Sequence, residues 1–172
     1  MPERPVILTG FMGCGKSSVG RKLAESLRLP FIDLDAVIVA DAGKSINDIF
    51  ASEGEAAFRA RESACLERVL REGKAVIAGG GGVVVADSNR ALMRSRGIVV
   101  NLIASLPVIL GRLKGATDRP LFSEKDASIR VAALMEERQQ FYADADIRID
   151  TDNKSVEDVS ALILKILEGL PA

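Results

Sequence analysis

Val6-Ile7-Leu8-Thr9-Gly10-Phe11-Met12-Gly13-Cys14-Gly15-Lys16-Ser17-Ser18 is an apolar run that breaks into glycines and then delivers a lysine and two serines. Gly10 to Ser17 fits the pattern G-x-x-x-x-G-K-S/T, and its flanks supply the context that pattern needs. Val6 to Leu8 reads as a buried strand, while Val19, Leu23 and Leu27, four apart, lay an apolar stripe along a following helix. Glycines let successive backbone N–H groups turn inward around a polyphosphate, and the N-terminus of the helix adds partial positive charge. Lys16 then reaches the β and γ phosphates and the Ser17 hydroxyl ligates Mg²⁺. A chance match in a chain of this length is roughly a one in a hundred event, so nucleotide binding is the working premise.

Composition narrows the field. With 172 residues, 48% hydrophobic and 27% charged, the chain suits one globular domain that needs no disulfide or metal to stabilise its core. A net charge of −1 supplies no bulk electrostatic pull toward nucleic acid or a membrane surface. Cys14 and Cys65 are the two cysteines; without C-x-x-C spacing or any histidine they make no zinc site, and they suit a reducing compartment. No stretch approaches the length of a membrane span, and Met1-Pro2-Glu3-Arg4 leads directly into the first strand, so a cytoplasmic protein is expected. Because histidine is absent, a proton acceptor for a hydroxyl nucleophile is best supplied by Asp or Glu.

Beyond the first helix, Leu29-Pro30 is a break, and Phe31 to Asp35 reads as a second strand finishing in two acids. Strand, phosphate loop, helix and strand form a βαβ unit, which places Asp33 and Asp35 at a strand's carboxyl end, where open α/β sheets bind ligands. Ser45-Ile46-Asn47-Asp48 opens a helix that Gly54 interrupts and Glu55 to Arg71 resumes. Ala75 to Ala78 is a third strand ending in Gly79 to Gly82, a run fit only for a loop where something approaches the backbone. A helix over Asn89–Arg96, a strand over Ile98–Ile103 and a helix over Ser105–Lys114 follow. Gly115 to Asp126 loses periodicity and carries Arg119 ahead of Pro120, so it reads as a mobile lid. A long helix over Ala127–Ala143, an edge strand over Asp146–Asp150 and a final helix over Val156–Glu168 capped by Ser155 complete the chain. Five strands alternating with helices, with a P-loop at the first turn, predict a three-layer α/β/α sandwich around a five-stranded parallel sheet, a single domain over 1–172.

The third strand ends in glycine rather than in the magnesium-site Asp of a GTPase or motor ATPase. An Asp-x-Asp pair, scattered arginines, a glycine run and an arginine-bearing lid are instead the parts of a small-molecule kinase, where in-line transfer needs anion clamps and exclusion of water. Gly10 to Ser17, Asp33-Leu34-Asp35, Phe58-Arg59-Ala60-Arg61-Glu62, Gly80-Gly81-Gly82, Arg119-Pro120-Leu121 and Glu137-Arg138-Gln139-Gln140-Phe141-Tyr142 together resemble the shikimate kinases, in order and with matching gaps, over nearly the whole chain.

That resemblance implies transfer of the ATP γ-phosphate to the 3-hydroxyl of shikimate, a cyclohexene carboxylate. It implies that Arg59 and Arg138 bind the carboxylate as planar bidentate donors, that Asp35 holds the hydroxyls and acts as base, and that Asp33 orients magnesium waters. It makes Gly80, Gly81 and Gly82 a substrate-binding loop, with Gly79 standing where the family usually has another residue. Arg119 becomes the lid arginine that stabilises transition-state charge. Gly13, Cys14, Gly15, Lys16, Ser17 and Ser18 hold the phosphates, and Arg112 and Lys154 lie near adenine and ribose. The segment of about 35–62 becomes the helical substrate-binding region, in which Ile46, Phe50 and Phe58 serve either the ring pocket or the core. Mg²⁺ with ATP as co-substrate, no nucleic-acid or membrane partner and a monomer complete the expectation. Gluconate kinase and nucleoside monophosphate kinases remain alternatives within the enzyme class. A catalytically idle nucleotide-binding module is the alternative outside it.

Overall fold

Among residues 2–114 and 126–170, which the computed structural model describes, the elements follow in the order β1 (Val6–Thr9), α1 (Lys16–Leu27), β2 (Phe31–Asp33), α2 (Leu34–Ala42), α3 (Ile46–Arg71), β3 (Val76–Ala78), α4 (Asp87–Arg96), β4 (Ile98–Ile103), α5 (Leu106–Leu113), α6 (Ala127–Tyr142), β5 (Ile147–Asp150) and α7 (Val156–Glu168). The five strands form one parallel sheet in the order β2-β3-β1-β4-β5. Val6, Ile7 and Leu8 on the central strand are fully buried, as continuous apolar runs in parallel sheets must be when helices cover both faces. β2 and β5 are the edge strands, and in β5 Ile147 and Ile149 are buried while Arg148 and Asp150 face out. The sheet order reverses direction at β1, so the loop leaving β1 opens into the crevice where such sheets bind ligands.

Local sequence explains most boundaries. Ser155 accepts from the Asp158 backbone N–H at 3.0 Å, and the Asp158 carboxylate accepts from the Ser155 N–H at 3.1 Å, a reciprocal cap at the start of α7. Ser45 does half of this for α3, accepting from the Asp48 N–H at 3.1 Å. The expected strand over Phe31–Asp35 is corrected: β2 closes at Asp33, which caps α2 by accepting from the N–H groups of Asp35 at 3.0 Å and Ala36 at 3.4 Å. Such a cap contributes about 1 kcal/mol. Asp35 therefore belongs to the first turn of a helix rather than to a strand end. Leu34 and Ile38, four apart, are the buried anchors of that helix, and Gly43 at φ 66° ends it.

Gly54 decides the shape of α3. At φ 84° and ψ 173° it leaves helical geometry, in a region where a side chain would be strained. Phe50 and Phe58 would sit about 12 Å apart along a straight helix at 1.5 Å per residue, yet their ring centroids are 4.7 Å apart. The kink folds one half of α3 onto the other, and Glu53, bonded to Arg61 at 2.9 Å and paired with Lys44, braces it. The second half consequently carries Phe58, Arg59 and Glu62 toward the carboxyl ends of the strands.

Candidate active site

Gly13 and Gly15 take φ values of 79° and 94°, left-handed turns that wrap the loop after β1 and leave Gly15 as the cap of α1. A cleft of about 210 Å³ opens above that helix N-terminus, lined by Gly13, Gly15, Lys16, Ser17, Ser18, Asp33, Asp35 and Gly79 to Gly81. The Lys16 ammonium donates to the carbonyls of Gly10 at 2.7 Å and Phe11 at 3.1 Å. The Ser17 hydroxyl donates to the second Asp33 carboxylate oxygen at 3.1 Å. One oxygen of Asp33 thus caps α2 while the other faces the phosphate loop. Cys14 is buried, 3.8 Å from the Lys16 nitrogen, and its N–H donates to the Phe11 carbonyl at 3.2 Å, so its side chain does not line the cleft.

The glycine run forms the wall between this cleft and a cluster of charged side chains. A methyl group on Gly80 would stand 2.8 Å from a Glu62 carboxylate oxygen and 2.9 Å from an Asp35 oxygen. One on Gly81 would lie 3.7 Å from the Arg138 guanidinium and 4.0 Å from the Tyr142 hydroxyl, and one on Gly82 would overlap the Arg59 guanidinium. Asp35, Arg59, Glu62, Arg138 and Tyr142 therefore converge on three successive residues from α2, α3 and α6. Gly79 has a separate reason to lack a side chain. It extends the ladder by donating to the Leu8 carbonyl at 3.0 Å, and a methyl there would meet Val83 at 2.9 Å.

Burial sets the electrostatics of the cluster. Glu62 is 1% exposed, and burial raises its pKa above the ordinary 4.5; the neighbouring Arg59 and Arg138 cations oppose that rise while the Asp35 anion adds to it. Arg59 donates to Glu62 at 2.7 Å and is held by it three residues along the same helix. The Tyr142 hydroxyl, hydrogen-bonded to the Gly81 carbonyl, has its pKa pushed up to about 12, chiefly by burial, with Arg138 opposing. Arg138 itself is buried, and its Nε has no partner among the described residues, a donor left available inside the pocket.

Glu62 supplies a test of this picture. Between pH 4.5 and its higher folded value, the folded chain keeps a proton that the unfolded chain has released. The stability this group contributes is therefore complete below pH 4.5 and is lost as pH rises through the folded value. Glu62→Gln, which keeps the acceptor for Arg59, is expected to gain on the parent protein in melting temperature as pH rises through that window. The difference in melting temperature between the two proteins should grow in that sense across the window. Melting curves of both proteins from pH 4 to 8 that run parallel would show that Glu62 is not buried as a charged group.

Arg112 and Lys154 meet at a second corner. Arg112 donates to the Gly13 carbonyl at 2.8 Å, tying α5 to the phosphate loop. Asp152, two residues before Lys154, accepts from the Ser105 N–H at 3.0 Å. The hydrogen bonds from Ser105 hold its pKa low, with the charges of Arg112 and Lys154 lowering it further. Arg119 and the lid segment up to residue 125 lie outside the described residues. Sequence reasoning gave Glu62, Tyr142 and Asp152 no role. For the first two a signal existed: Glu62 follows Arg59 by three and Tyr142 follows Arg138 by four, spacings that share a helix face.

A phosphate-binding loop at the end of the central strand, beside a pocket of paired cations and carboxylates, defines a P-loop phosphotransferase acting on a small anionic acceptor. The family model for shikimate kinase matches residues 12–168. A shikimate kinase of Geobacter metallireducens is 54% identical over 166 residues, covering 96% of this chain and 93% of that protein. The structure of the Acinetobacter baumannii shikimate kinase in complex with shikimate superposes with a TM-score of 0.93 at 34% identity, covering 96% of this chain and 93% of the other. A gluconokinase from Sinorhizobium meliloti, at 20% identity and a TM-score of 0.61 over 97% of this chain and 93% of that one, shares the fold alone. The chain belongs to the shikimate kinase family.

Proposed function

We propose that this chain catalyses ATP-dependent phosphorylation of the 3-hydroxyl of shikimate, giving shikimate 3-phosphate and ADP. The observation that carries the reading is the convergence of Asp35, Arg59 and Arg138 on Gly80 to Gly82, next to the cleft that holds Lys16. A carboxylated ring alcohol needs two guanidinium groups for its carboxylate and an acid for its hydroxyls, and this wall offers both.

The N–H groups at the start of α1 and the loop around Gly13 and Gly15 receive the phosphates, with Lys16 exchanging the Gly10 and Phe11 carbonyls for phosphate oxygens. Cys14 in that loop and Ser18 in the first turn of α1 contribute through the backbone. Arg112 and Lys154 flank the nucleoside end. The 3-hydroxyl oxygen attacks the γ-phosphorus, the bond to the β-phosphate oxygen breaks, and the hydroxyl proton passes to Asp35. Because such transfer is largely dissociative, Asp35 acts first by aiming the hydroxyl and only late as a base. Arg119 is assigned the stabilisation of transition-state charge.

The Ser17 hydroxyl beside the Asp33 carboxylate is a hard-oxygen pair suited to Mg²⁺, which binds through one or two protein oxygens plus phosphates and water. Such an ion would neutralise charge on the β and γ phosphates. Among the described residues no group of three or more acids, cysteines or histidines forms a protein-only metal cage, which agrees with a metal arriving with its nucleotide. We take the enzyme to be a monomer, the default for a composition with no evident surplus of apolar surface. Its two thiols are free and buried, and no described helix is long and apolar enough to cross a membrane; we place the enzyme in the cytoplasm.

The test is a coupled ADP-release assay with shikimate, gluconate and several nucleoside monophosphates. Turnover with shikimate at least about 100-fold above the other acceptors is expected, because a site built to hydrogen-bond a substrate discriminates at that level or beyond. Preferred turnover of gluconate would reassign the acceptor. ATP binding without turnover of any acceptor would leave a regulatory nucleotide-binding module.

A further inference from the structure

Behind the glycine run, on the side away from the cleft, α4 makes a set of contacts that the phosphoryl transfer described above does not use. The buried Asn89 donates from its side chain to the Val83 carbonyl at 3.0 Å. Arg90 donates from one guanidinium nitrogen to the carbonyls of Val84 at 2.6 Å and Val85 at 3.1 Å. These are the residues directly after Gly82. The same guanidinium lies 4.5 Å above the Phe141 ring centroid and 3.5 Å from the Asp144 carboxylate, and also pairs with Asp87. Phe141 and Asp144 flank the end of α6, where Arg138 is one turn back and Tyr142 bonds to the Gly81 carbonyl. The Arg90 side chain is 14% exposed, well below what a solvated surface arginine shows.

We propose that Arg90 is a positioning residue for the acceptor pocket, a bracket that fixes the end of α6 against the glycine loop and so sets the spacing between Arg138 and Gly80–Gly82. The physical reason lies in the planar fork of arginine. It satisfies adjacent backbone carbonyls along its edge while its face stacks on an aromatic ring, which lysine cannot do. The turns after Gly80 close through long bonds from Val83 to Gly80 at 3.2 Å and from Val85 to Gly82 at 3.1 Å. Without the bracket, the hydrogen bond that ties the loop to α6 among the described residues is that of Tyr142 to the Gly81 carbonyl. Among the described residues, the contacts of Arg90 are with Val84, Val85, Asp87, Phe141 and Asp144, none of them assigned to ATP, so its effect should be confined to the acceptor. This role rests on the acceptor reading given above.

Arg94 provides the internal control. It bonds the same Asp144 at 2.6 Å but is 53% exposed, and among the described residues its ion pairing is to Asp144 rather than to the glycine loop or Phe141. The experiment compares Arg90→Ala with Arg94→Ala by steady-state kinetics and by acrylamide quenching of intrinsic fluorescence. The chain has one tyrosine and no tryptophan, so that emission reports Tyr142 alone. Arg90→Ala is expected to raise the KM for shikimate at least about tenfold while kcat and the KM for ATP stay within about threefold, a loss of acceptor binding rather than of chemistry. Its quenching constant should rise at least about twofold. Arg94→Ala should move neither.

Equal rises in both KM values, or a lowered melting temperature with unchanged acceptor KM and quenching, would overturn the proposal. Quenching needs no turnover, so it tests the bracket even if shikimate proves not to be the acceptor. Failure of the parent enzyme to phosphorylate shikimate would sink the functional reading instead. Should Arg90→Ala not fold, Arg90→Lys keeps the charge but not the fork and should show the same selective rise in reduced size; parent-like values would again overturn the role.

Discussion

Asp35→Asn is expected to lower kcat at least about 100-fold while the KM for ATP stays within about twofold. The substitution conserves size and one acceptor oxygen, so the acceptor alcohol can still be held. What it removes is the capacity to take a proton. Asp35 lines the cleft with Lys16 and lies across Gly80 from Glu62, while the caps of α2 are accepted by Asp33 rather than by Asp35 itself. Loss of a first-turn carboxylate near a helix N-terminus costs about 0.3–1 kcal/mol, so a large fall in turnover could not be blamed on unfolding. Steady-state kinetics with parallel melting curves separate the two, and near-parental kcat would remove Asp35 from the chemistry.

The contrast between Asp33 and Asp35 shows where sequence reading succeeded and where it stopped. The phosphate loop, Ser45, Ser155 and the break at Gly54 were legible because each signal is local: a cap, a glycine or a spacing acts within four residues. The start of α2 was hidden. The expected strand ran on to Asp35, whereas Asp33, bonded both to Ser17 and to the first turn of α2, ends it as a cap. A five-residue strand reading thus placed Asp35 at the correct edge of the sheet with the wrong backbone.

The acceptor pocket was legible as a set of residues but not as an arrangement. Arg59, Arg138 and the glycine run could be named from the resemblance to a family; Glu62 and Tyr142 were quoted within the same motifs and left without work. Their parts depend on burial, which periodicity cannot supply where the second half of α3 is turned by Gly54 and α6 meets a loop 61 residues earlier in the chain. Gly79 is the converse case. It looked superfluous in sequence, yet the side chain of Val83 fills the space a methyl would need.

Gly80→Ala and Gly82→Ala should fail in different ways, and the difference tests how the pocket is built. Neither glycine has a positive φ, so alanine fits the backbone and the consequence is steric. At Gly80 the methyl meets the tips of two carboxylates, Glu62 at 2.8 Å and Asp35 at 2.9 Å, and pushes Asp35 off its line to the acceptor. We expect kcat/KM for shikimate to fall at least about 100-fold, since displacement of a catalytic group by about 1 Å has that effect, with little change in melting temperature. At Gly82 the methyl overlaps the guanidinium of Arg59, which must leave and break its 2.7 Å bond to the buried Glu62. Stranding a buried charge costs up to about 3–5 kcal/mol, so Gly82→Ala should lose several °C of melting temperature together with affinity for shikimate. Measured side by side, a stable Gly80 variant with poor turnover and an unstable Gly82 variant with poor acceptor binding would support the arrangement. The reverse order would mean that Arg59 and Asp35 do not share one pocket across the glycine wall.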